Sequence, residues 1–103
     1  MMTTLEKIVE RLNSLIAQDS SIGATNRRIQ QVEQDATGKI TVSFADFEVF
    51  IVEFGDQLAM HLPILYDVDA KPIDDAREVA VDLVGLLQQE TAGRTFEVVL
   101  IEA

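Results

Sequence analysis

Near Thr25 the spacing of apolar residues changes from a helical repeat to strict alternation, and that switch confines the chain to folds joining helices to a sheet. Before it, Leu5, Ile8, Val9, Leu12, Leu15 and Ile16 fall on one face at about 100° per residue, which predicts a helix over 4–18. Thr3 and Glu6 have the spacing of a capping box, in which hydroxyl and carboxylate each satisfy an orphan backbone donor. The polar run Asp19-Ser20-Ser21 and then Gly23 end the pattern.

Beyond the switch, 27–33 reads as a polar edge strand with Ile29 as its inward anchor, and Asp35 to Lys39 as a hairpin turn. Ile40, Val42 and Phe44 alternate with Thr41 and Ser43, and Leu58, Met60, Leu62 and Ile64 alternate again after a two-residue turn at Gly55-Asp56. A loop over 66–73 leads to a second helix at about 74–90, with Asp75 as its cap, Glu78 three residues on and Gly93 past its end. Ala76, Val79, Ala80, Leu83 and Leu87 form its apolar face, and 95–102 reads as a closing strand. The order α-β-β-β-β-α-β predicts an α+β fold, an antiparallel sheet of four to five strands with two helices packed on one face. At 103 residues, 48% of them hydrophobic, the chain has material for one core, so 1–103 reads as a single domain with no linker.

Two segments exceed what this arrangement hides, 47–54 and 95–102, the latter with Phe96, Val98 and Leu100 on one face and Val99 and Ile101 on the other. Over 47–54 apolar residues occupy both faces, Phe50, Val52 and Phe54 on one and Phe47, Val49 and Ile51 on the other. Two helices cover one face of a sheet, and the other should be polar if water covers it. Either the first helix crosses to the second face or that face is an interface. An exposed apolar patch of several hundred Å² is unusual on a monomer, so a homodimer or partner interface is expected on whichever set faces away from the helices. Phe47, Val49 and Ile51 are the candidate interface, with Phe50, Val52 and Phe54 as the alternative set.

Chemistry-bearing patterns are sparse. Without cysteine, disulfides and thiolate metal sites are excluded. His61 is the only histidine and lies out of phase with Leu58, Met60 and Leu62, beside Ala59. The segment from Asp67 to Glu78 spaces its acids like a calcium loop, but Lys71 and Pro72 occupy its centre, where a ligand and a turn glycine belong. No enzyme, cofactor or metal site is therefore expected.

The net charge of −10 is uneven. Residues 1–39 carry five basic and five acidic groups, and residues 40–103 carry three basic and thirteen acidic. Phosphate backbones are repelled by such a surface, which argues against nucleic acid and for solubility or a basic protein partner. Asp75, Glu78 and Asp82 recur on one side of the second helix as a candidate acidic docking stripe. Neither a signal peptide nor a membrane span is read in the sequence, so a cytoplasmic location and no membrane contact are expected.

In element order alone the chain resembles the type III secretion chaperones: a helix, a meander, a second helix and a further strand. Those are small, acidic, dimeric proteins that bind a peptide of a partner, and the resemblance implies peptide binding. The chain is short for that group and lacks its final strand and helix. A protein-interaction module acting as a homodimer is the leading expectation. The alternatives are a chaperone-like peptide binder and a small-ligand protein with an apolar pocket between helices and sheet.

Overall fold

A computed structural model describes residues 3–22, 27–45, 47–55, 57–64, 71–91 and 94–102. Helix α1 spans Thr4–Ala17. Its capping box is formed: the Glu6 N–H donates to Thr3 Oγ1 at 3.1 Å and the Thr3 N–H to Glu6 Oε2 at 3.3 Å. At the other end the Ser20 N–H bonds Leu15 O at 3.1 Å and the Asp19 N–H bonds Ile16 O at 3.0 Å. This pair of bonds requires a left-handed residue after the cap, and Asp19 supplies it at φ 53°.

A two-stranded ladder follows, β1 (Ser21–Ile22) against β2 (Arg27–Arg28). The single edge strand expected over 27–33 is thus divided. Arg27 and Arg28 pair back toward the helix, Ile29 is buried as the anchor, and β3 (Gln31–Gln34) alone joins the main sheet. Arg28 is drawn toward the helix end by Asp19, whose carboxylate lies 3.0 Å from its Nε.

The main sheet runs in chain order: β3, β4 (Ile40–Ser43), β5 (Glu48–Phe54), β6 (Gln57–Ile64) and β7 (Phe96–Glu102). The Asp35–Lys39 turn joins β3 to β4, and Gly38 serves it at φ 94°, where a side chain would be strained. Strands β3 to β6 are antiparallel. The β6–β7 pair departs from the expected pattern by being parallel, because a helix returns the chain across the sheet between them. The architecture is α+β, with a mostly antiparallel sheet and two helices.

That returning helix, α2, spans Lys71–Leu87 and ends in a single 3-10 turn, Gln88–Glu90. It begins earlier than expected, so 71–73 are helical and Asp75 is inside the helix, not its cap. Pro72 permits this, since the N–H it lacks in the first turn has no helical acceptor anyway. The rest of the expected loop, and the acids at 67 and 69, lie outside the described residues.

Both helices share one core with one face of the sheet. Ile8, Leu12 and Leu15 of α1 and Val79, Ala80, Leu83 and Leu87 of α2 are buried with Ile40, Val42, Val49, Ile51, Leu58, Met60 and Leu62. Register explains the set: Ile40 pairs Ile51, Ile51 pairs Met60, and Val42 pairs Val49. Cross-strand partners share a face, so these residues form continuous apolar rows beneath the helices. Each fully buried side chain of this size contributes roughly 1.5–3 kcal/mol relative to exposure.

Candidate functional site

Register also settles which face of β5 the helices cover. The Phe44 N–H bonds Phe47 O at 2.9 Å, closing a tight turn that sets Ser43 opposite Glu48. Val49 and Ile51 therefore line up with Val42 and Ile40, the one apolar face of β4. Phe47, Val49 and Ile51, expected as an interface, are instead core residues, and Val49 and Ile51 are fully buried. Phe47 stacks on Phe44 with ring centroids 4.9 Å apart, and the Arg27 guanidinium lies 5.2 Å from its ring. The hairpin register was the signal in the sequence that could have decided between the two sets.

The surplus apolar surface is consequently on the opposite face. One row there runs Thr41, Phe50, His61, Val99 across β4 to β7. The next runs Val52, Ala59, Glu97, and the last sets Phe54 against Gln57. Phe50, Val52, His61 and Val99 are half-buried by one another, and Ala59 is hidden among its longer neighbours. Phe54 is 62% exposed, an aromatic ring with water over most of its surface. The Phe54 and His61 rings are tilted against each other at 6.1 Å.

The patch is edged by charge of both signs. Lys39 Nζ sits 4.8 Å from the centroid of Phe50, in cation–π contact. The turn before Lys39 holds it there. Asp35 Oδ1 accepts from Thr37 Oγ1, from the Thr37 N–H at 2.9 Å and from the Lys39 N–H at 3.1 Å. The Thr37 hydroxyl first, then these amides and the Lys39 charge, keep the Asp35 carboxyl below its ordinary pKa. Glu48 and Glu97, both exposed, and Gln57 complete the rim.

Elsewhere, Glu78 and Asp82 are exposed on α2 beside Val81, which is 58% exposed, and together with Arg77 they line a shallow groove. Asp75 lies on the same helix, its side chain outside the described part. Among the described residues no group of three or more potential ligands could hold a metal ion. No described helix is long and apolar enough to cross a membrane. Comparison with protein-family models, curated proteins and solved structures finds no match to this chain.

Proposed function

We propose that the chain is a non-enzymatic protein-interaction module that forms a homodimer through the face of β5, β6 and β7 turned away from the helices. The observation that carries this reading is the exposure of Phe54 at the end of a patch built with Phe50, Val52, His61 and Val99. Hydrocarbon left in water on a strand this regular is stabilised by a covering surface. A two-fold contact needs a patch that complements itself. An apolar centre with Lys39 on its rim, and Glu48 and Glu97 around it, meets that requirement.

Light scattering coupled to size-exclusion chromatography tests the proposal. The expected mass is twice the 11.4 kDa of the chain. A mass of one chain at millimolar concentration and moderate salt overturns it.

A further inference from the structure

The outer edge of β7 lies beside the patch and shares Glu97 with its rim, but what it offers is backbone and not side chains. The Leu58 N–H donates to Thr95 O at 3.2 Å, and Leu58 pairs with Phe96 in parallel register. In a parallel ladder alternate residues turn both backbone groups toward the neighbouring strand. Glu97 and Val99 therefore face β6 with their N–H and C=O, while Phe96, Val98 and Leu100 turn theirs outward. Among the described residues no strand pairs with that side.

The two edges of the sheet differ in how they meet this exposure. At β3 the edge is four residues long and polar at Gln31, Glu33 and Gln34. At β7 it is seven residues long, with neither lysine nor proline, and Val98 is 37% exposed. Short length, lysine and proline are the usual means of preventing strand addition, and β7 has none of them. We infer that this edge accepts an extended, basic segment of a partner protein as a sixth strand.

Charge selects that occupant. β7 carries Glu97 and Glu102, and Arg94, just before it, is already engaged by Glu53. Three basic against thirteen acidic groups over 40–103 make this half of the chain strongly negative. A second copy would bring another acidic strand, whereas lysine or arginine opposite Glu97 adds a favourable cross-strand pair. Backbone bonds supply the affinity and the charges choose the partner.

The probe is a short alternating valine–lysine peptide added to the full chain, with a valine–glutamate peptide as control. Saturable binding of the lysine peptide is expected. The amides of Phe96, Val98 and Leu100 should slow in hydrogen exchange while those of Glu97 and Val99 hold. Val98→Pro removes an outward donor only and should weaken binding about tenfold. Its melting curve checks its fold, and if it fails to fold the exchange pattern of the unsubstituted chain decides alone. Equal binding by folded Val98→Pro, or unchanged exchange at the outward amides, overturns the inference. So does protection of those amides without peptide that rises with chain concentration in Phe54→Glu as in the parent, which would make a second copy the occupant. Phe54→Glu should leave peptide binding intact, so failure of the dimer and failure of the edge are read separately.

Discussion

The ring of Phe54 lies 6.1 Å from that of His61, tilted at 33°, and ties the most exposed aromatic of the sheet to the chain's only histidine. Because Phe54 reaches water and not the core of the single chain, Phe54→Glu should change stability by less than about 0.5 kcal/mol at concentrations where the parent is dissociated. It should also convert the dimer to a monomer, read as the mass in light scattering beside a urea titration. A stable dimer of this variant would move the interface elsewhere.

The opposite result is expected one layer below. Ile51 is fully buried between Ile40 and Met60. Ile51→Ala deletes methyl groups from a closed core and should cost about 2–5 kcal/mol. The check is the denaturation midpoint, which should fall well below that of Phe54→Glu.

Salt should strengthen self-association and weaken peptide capture. Each copy carries −10, so two copies repel until counterions screen them. Sedimentation in dilute and concentrated sodium chloride should show the dimer gaining and the valine–lysine peptide losing. A dimer that dissociates on adding salt would place charge pairs, not hydrocarbon, at its centre.

Asp35 makes a pH prediction of fixed sign. Its carboxyl titrates lower in the folded chain than in the unfolded one. The stabilisation is therefore present above the unfolded pKa and is lost as pH falls from there through the lower folded value. Asp35→Asn should lie further below the parent in melting temperature at neutral pH than in strong acid. A gap that is constant across that range would show the turn to be indifferent to the charge.

At the start of α1, Thr3→Ala removes the hydroxyl that accepts from Glu6 and leaves that amide without its cap. A loss of about 1 kcal/mol is expected in a urea titration, with Thr3→Ser retaining most of it.

Periodicity made α1 and the inward residues of β4 and β6 legible, because in each the large apolar side chains keep to one face. It failed at β5, where both faces are apolar and no local pattern distinguishes the core side. There the decision belongs to the turn at Phe44 to Phe47, which locks Val49 and Ile51 to the partners Val42 and Ile40. The start of α2 was hidden for another reason. Pro72 and the surrounding acids look like loop chemistry, yet a proline in the first turn displaces no helical bond. The β1–β2 ladder rests on Ser21, Ile22, Arg27 and Arg28, residues far too few to show a period.

The parallel seating of β7 also orders events in time. Hairpins β3 to β6 close locally as the chain leaves the ribosome, each strand beside the one just made. β7 cannot join until α2 has formed and crossed the sheet, so until then β6 is the outermost strand. Its fully buried Leu58, Met60 and Leu62 are, in that interval, the rim of an unfinished sheet. Until β7 docks, that rim is an unpaired apolar edge, the kind of surface that invites pairing with another chain.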